Sequence, residues 1–304
     1  MQKEFKSHYE QIKILKSKGL IVNNIEHAVH SLKHIGYFAL INGYKKPFKA
    51  ENGRYKEGTH FEDIEQLYKF DEKLRLIILE HILLIERRVK ASLSYHFSED
   101  FKEVNGYINA DNYNYSGIQK IQEIIKLVSI LINIYNDNQH SYIKHYKDKH
   151  CGEIPLWVVI NAMTFGQVSK MYSLLKTKTQ QKVCGDFHLS SPKDFEKMLN
   201  MITLFRNVCA HNERLYDYET KSGVGLDYLK KHIEVGENTY ENERKRLFGF
   251  LVCCRCLING REGKIFFESL ENFINKSSII QNPNIGGYII KEMGLPLNWA
   301  NLKG

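Results

Sequence analysis

Apolar residues recur along this 304-residue chain mostly at three- and four-residue steps, the period of helices that bury one face. A short helix is predicted from about Phe5 to Lys18, closed by Gly19, and a second from about Asn24 to Ile35, closed by Gly36. The longest periodic segment runs from about Phe61 or Asp63 to His96, where Leu67, Phe70, Leu74, Ile77, Ile78, Ile82, Leu84, Ile85, Val89 and Leu93 give a broad apolar face. It exceeds an average helix, so one long core helix or two nearly collinear ones are expected. Phe101 to Ser116 reads as a tyrosine-rich loop, Gly117 to Tyr135 as a helix, and a shorter basic helix follows to Lys149. Further helices are predicted over Pro155 to Leu175, Thr179 to Phe187, Glu241 to Asn259 and Lys264 to about Lys276, with a closing segment from Ile285 to Trp299. No series of alternating strands and turns interrupts them, so the fold class expected is all-α.

One helix carries candidate chemistry. Ser191 offers an N-cap hydroxyl, Pro192 a first-turn proline and Asp194 an early acidic residue, so a helix is predicted from Pro192 to about Tyr216. Phe195, Met198, Leu199, Ile202, Phe205 and Cys209 form its buried stripe, and the opposite edge carries Arg206, Asn207 and His211. At about 100° per residue, Asn207 and His211 share a face, whereas Arg206 diverges from His211 by roughly 140° and must reach around. An imidazole ordinarily titrates near pH ~6.5 and can move a proton at neutral pH, while a guanidinium fork matches a phosphate. Asn207 can orient either group without adding charge. One copy supplies a single histidine, which is poor for chemistry needing both an acid and a base, and two copies facing each other would suffice. The same spacing also occurs on ordinary exposed helix edges, and by itself it leaves both readings open.

Composition changes the picture in three respects. The formal charge of +8 and pI near 9.0 suit a polyanionic partner. Six cysteines are scattered or crowded rather than spaced as a disulfide framework, which points to a reduced, cytoplasmic setting. The N-terminus has no apolar signal core and no apolar run approaches the ~20 residues a bilayer needs, so no membrane association is expected.

Several secondary candidates carry two readings each. Lys45 and Lys46 lie among Tyr37, Phe38, Tyr44, Phe48 and Tyr55, where cations can hold a nucleic-acid backbone while rings stack on bases, or where a connecting loop solvates its lysines. His27, His30 and His34 share one helix face but lack acidic or cysteine partners in sequence, which favours a mixed polar face over a metal site. Cys253, Cys254 and Cys256 lack a second half with metal spacing and read as buried thiols. Arg214 follows the motif and is a candidate RNA contact. Neither a metal nor another cofactor is called for.

The string from Arg206 to Tyr216 resembles the hallmark segment of the Abi-like (abortive infection, AbiD/AbiF-type) bacterial proteins, whose core belongs to the HEPN superfamily. Ribonucleases of that superfamily carry arginine, four to six residues, then histidine, often with a polar residue after the arginine. Arg206, Asn207 and His211 fill those positions. The opening (Leu15 to Leu20, Tyr37 to Tyr44, Pro47 and Phe48), the middle (Pro155 to Trp157, Phe165 to Ser169, Tyr172) and the end (Met293 to Pro296, Trp299) are similar too. The resemblance implies a HEPN-type bundle at 61–304 with a C-terminal extension, preceded by a helical, basic N-terminal element at 1–60, the whole forming one body. It implies a metal-independent endoribonuclease acting as a homodimer in anti-phage abortive infection, with RNA as substrate and a small non-coding RNA as a further partner. It also implies that Glu86 orients Arg206 and that Arg87, with Arg88, meets phosphate; a salt-bridged helix surface is the plainer reading. The alternative function is a non-catalytic RNA-binding or partner-binding module on the same scaffold.

Overall fold

The computed structural model describes residues 4–137, 139–225, 228, 241–258 and 260–303. Among them the fold is all-α. Among the described residues the β-type pairings are three isolated bridges, Ile21 with His60, Lys49 with Tyr55 and Tyr113 with Leu175.

The helices are α1 (His8–Ser17), α2 (Ile25–Ile35), α3 (Phe61–Phe101), α4 (Ile118–Asn136), α5 (Ser141–Lys149), α6 (Leu156–Val159), α7 (Phe165–Leu174), α8 (Thr177–Gly185), α9 (Pro192–Ala210), α10 (Leu247–Leu257), α11 (Gly260–Lys276), α12 (Ser278–Gln281) and α13 (Gly286–Glu292). Local capping accounts for many of the boundaries. Ser7 and Glu10 close a capping box on α1, Asn24 accepts from the His27 amide to start α2, and Ser191 accepts from the Asp194 amide to start α9.

The single helix expected over Pro155 to Leu175 is instead broken. α6 runs into a 3-10 turn, Ile160–Ala162, and Thr164 then caps α7 in a box with Gln167. A threonine hydroxyl that can take the Gln167 amide favours a fresh start over continued helix. Gly166, at the start of α7, lies against Thr203 of α9.

The long segment is one unbroken helix of 41 residues. α3 is the spine of the molecule. At its start the Phe61 amide donates to Ile21 O, and Glu65 accepts from His27 Nε2 and Ser31 Oγ of α2, both at 2.8 Å. Near its end Asp100 takes Thr179 Oγ1 and Lys182 Nζ of α8. Arg75 meets Asn212 just past the end of α9, whereas Ser92 and His96 meet Asp186 just before its start, so α3 and α9 run antiparallel. The buried apolar side chains, from Ile12 to Leu302, form one cluster.

Three details sharpen the sequence expectations. Tyr44, Phe48 and Tyr55 are buried and so offer no open ring to a base, and the segment 37–58 is a connecting element containing a π-helical turn, Phe38–Asn42. His27 turns to Glu65, while the His30 and His34 rings lie 4.2 Å apart, tilted by 46°. The predicted helix to Asn259 is Leu247–Leu257, with Asn259 outside the described residues; Cys253, Cys254 and Cys256 are buried in it, and Cys253 Sγ lies 3.6 Å from Met201 Sδ of α9.

Candidate functional site

The motif helix was expected to run to about Tyr216, but α9 ends at Ala210. His211 is its C-cap, and Asn212 adopts φ 56°, the left-handed conformation that asparagine tolerates better than most residues. The Glu213 amide then reaches back to Val208 O at 3.0 Å and the Asn212 amide to Cys209 O, which closes a Schellman turn. His211 is thereby pinned at a helix end, its own amide donating to Asn207 O at 2.9 Å.

A buried polar cluster holds that turn from the outside. Asp71 of α3 is fully buried and accepts from four donors: the Leu215 and Tyr216 amides at 2.9 and 2.8 Å, Tyr44 Oη at 2.7 Å and Arg75 Nη1 at 2.8 Å. Arg75, itself buried, also donates to Glu213 O at 3.2 Å and through Nη2 to Asn212 Oδ1 at 2.6 Å. Complete burial pushes the Asp71 carboxyl above the ordinary aspartate value, against the opposing pull of the Leu215 amide and Arg75. Burial and the neighbouring Asp71 push the Tyr44 hydroxyl far above its usual range, so it serves as a donor. The backbone on both sides of His211 is therefore fixed: by α9 before it and by this latch after it.

The sequence reading did not single out Tyr44, Asp71, Arg75 or Asn212 for this role. One signal was present: Asp71 and Arg75 are an i,i+4 ion pair set among Phe70, Leu74 and Ile78 on a face that must be buried, and charges there need partners from elsewhere.

On the open side, Asn207 and His211 are exposed and Arg206 is half-buried. The Arg206 Nε atom is sheltered from solvent and has no hydrogen-bond partner among the described residues. Such a donor is costly to leave unpaired inside the fold. Cys209, inside the same motif, is a packing residue: burial pushes its thiol up to about 12. A polar groove of about 440 Å³ between α7 and α9 is lined by Lys170, Lys193, Asn200 and Thr203. Lys193, Asn200 and Asn207 are successive seventh residues, so Asn207 lies on the same face of α9, about two turns beyond the groove's last lining residue on that row.

A family model described as Abi-like protein matches residues 30–217, more than half of the chain, from the middle of α2 through the latch. The chain belongs to the Abi-like family. No curated protein and no solved structure matches it. The Abi-like match ends at residue 217, directly after Tyr216, whose amide completes the Asp71 cluster, so α10 to α13 lie beyond it. No helix among the described residues is long and apolar enough to cross a membrane.

The remaining candidates are dispersed in this Abi-like chain. Glu86 pairs with Lys90 at 2.8 Å, and no hydrogen bond or ion pair joins it to Arg206 among the described residues; the four-residue spacing on α3 supplies a nearer cation. Arg88 turns to Leu257 O at 2.8 Å and lies over the Phe187 ring, which ties α3 to α10. Lys45 Nζ donates to Asn42 Oδ1, and Lys46 faces Glu292 at 3.6 Å, linking the N-terminal element to α13. Arg214 joins Asp217 to Gly43 O and lies over the Tyr216 ring. Arg87 alone of these cations is exposed with no partner among the described residues. Arg88 and Arg214 thus spend their guanidinium groups on contacts within the fold, as long side chains often do where elements meet, while Lys46 pairs with Glu292 and stays exposed.

Proposed function

We propose that this Abi-like chain is an endoribonuclease of the HEPN type that serves abortive infection in the bacterial cytoplasm, cutting RNA without a metal. The observation that carries the reading is the pinned end of α9: His211 and Asn207 are exposed one turn apart, next to a half-buried arginine whose Nε has no partner among the described residues. In this reading Arg206 holds the scissile phosphate, Asn207 orients it, and His211 moves the proton. The ribose 2′-oxygen forms a bond to phosphorus while the bond to the 5′-oxygen breaks. One His211 takes the 2′-hydroxyl proton and the His211 of a second copy gives a proton to the departing 5′-oxygen. The products are a 2′,3′-cyclic phosphate and a 5′-hydroxyl. The positive charge of +8 and the lysine-bearing groove along α9 support a single strand led toward Asn207, and a small non-coding RNA is the further partner.

The test is cleavage of labelled RNA by the purified chain in chelator, with end-group analysis. Wild type should leave 2′,3′-cyclic ends, and His211→Ala or Arg206→Ala should lower the rate by about 10²- to 10⁴-fold. Wild type that binds RNA but never cuts it overturns the enzyme and leaves the non-catalytic RNA-binding module.

A further inference from the structure

α3 buries most of its circumference, yet one sector stays open. Leu76, Glu80, Leu83, Arg87 and Ala91 are all exposed and fall within roughly 80° of one another on the helix. Leu76 is 62% exposed and Leu83 51%. Tyr95 continues the row at 63% and Trp157 of α6 flanks it at 53%. A groove of about 530 Å³ lies there, lined by Leu83, Arg87, Ala91, Tyr95 and Trp157 among others. Isolated exposed leucines are ordinary, but leucines, tyrosine, tryptophan and an unpaired arginine in one row have the composition of a protein interface.

The charges in the row identify the occupant. Glu80 and Arg87 have no partner among the described residues, and they sit at equal distances from the midpoint between Leu83 and Leu84. If a second α3 crosses there antiparallel, each Glu80 faces the other copy's Arg87. The same two-fold sets the protruding Leu76 of one chain over the small Ala91 of the other, in the groove beside Tyr95 and Trp157. A polyanion fits less well, because the Glu80 carboxylate stands in the middle of the row. We propose that this stripe is a self-complementary surface and that a second copy of the chain docks on it, α3 against α3, through two Glu80–Arg87 pairs and two Leu76 knobs. The pairing deepens the two-chain reading above and rests on it for its purpose. Its test reads mass rather than cleavage, so either can fail alone.

The full chain is measured by sedimentation at micromolar concentration without RNA. Wild type should be a dimer. Glu80→Arg alone places two arginines against two arginines, and Arg87→Glu alone places four carboxylates together, so each should weaken dimerisation by tenfold or more. Both residues are exposed and unpaired, so circular dichroism and melting temperature should stay at wild-type values. Mixing the two variants should restore a dimer containing one of each, because every facing pair is then opposite in sign, and the double variant E80R/R87E should dimerise by itself. A monomeric wild type overturns the proposal, as does a mixture that stays monomeric. A dimer mass unchanged in both single variants also overturns it and moves the contact to the other exposed apolar row, Ile118, Ile121, Ile125 and Ile132 of α4. Loss of RNA binding in Arg87→Glu with unchanged mass would assign the stripe to nucleic acid instead.

Discussion

Arg75 donates to Asp71, Tyr44, Glu213 O and Asn212, and so gathers two distant stretches around the turn that presents His211. Replacing it by methionine keeps much of the volume but removes the cation beside the buried Asp71 carboxyl, which keeps only its neutral donors. Arg75→Met should therefore cost about 3–5 kcal/mol in denaturant unfolding, the usual price of a buried ion left without its counterion. Asn212 answers to backbone as well as to Arg75. Asn212→Gly keeps the left-handed turn and loses only the side-chain bond, whereas Asn212→Val should be less stable again by about 1–3 kcal/mol, since a β-branched residue is strained at that φ. Arg206, Asn207 and His211 could be singled out as candidates from spacing and resemblance. Their supports could not, because a side chain's partner 137 residues away leaves no local pattern at either end.

Between elements, polar ties rather than spacing set which faces meet. Glu65 joins α2 to α3: burial pushes its carboxyl up, but His27, Ser31 and Lys69 outweigh that and hold it below the ordinary value of 4.5. The unfolded chain then binds this proton more tightly than the folded one, so the contribution is present above pH 4.5 and is lost as pH falls through the folded value. Thermal melts of wild type and Glu65→Gln should differ most at neutral pH and converge below 4.5. Helix starts were readable where a cap residue stands in sequence, as at Asn24 and Ser191. Two stops were misread for the same physical reason. Thr164 and Asn212 are polar residues that can serve inside a helix or end one, and only the tertiary partner, Gly166 packed on Thr203 or Arg75 on Asn212, selects the ending.

Over the whole molecule, the +8 charge is diffuse, and several of its cations are committed to internal pairs such as Lys182 with Asp100 and Lys170 with Glu123. RNA affinity should still fall steeply with salt. Filter binding between 50 and 200 mM would give a log–log slope near minus the number of phosphates neutralised, and Lys193→Glu in the α9 groove should flatten it by about one. The all-α class was readable from periodicity alone, since no stretch alternated with the period of a strand. The assembly around α3 was not, because periodicity says how wide a buried face is and nothing about which later segment covers it. That order of events matters during synthesis. At about 5–20 residues per second, Arg75 leaves the ribosome on the order of ten seconds before Asn212 exists to receive it, and α10, which Arg88 reaches, comes later still. A nascent chain thus carries its longest helix early but cannot assemble the His211 turn until residue 216 of 304 has been added, so a polypeptide interrupted before that point lacks the turn altogether.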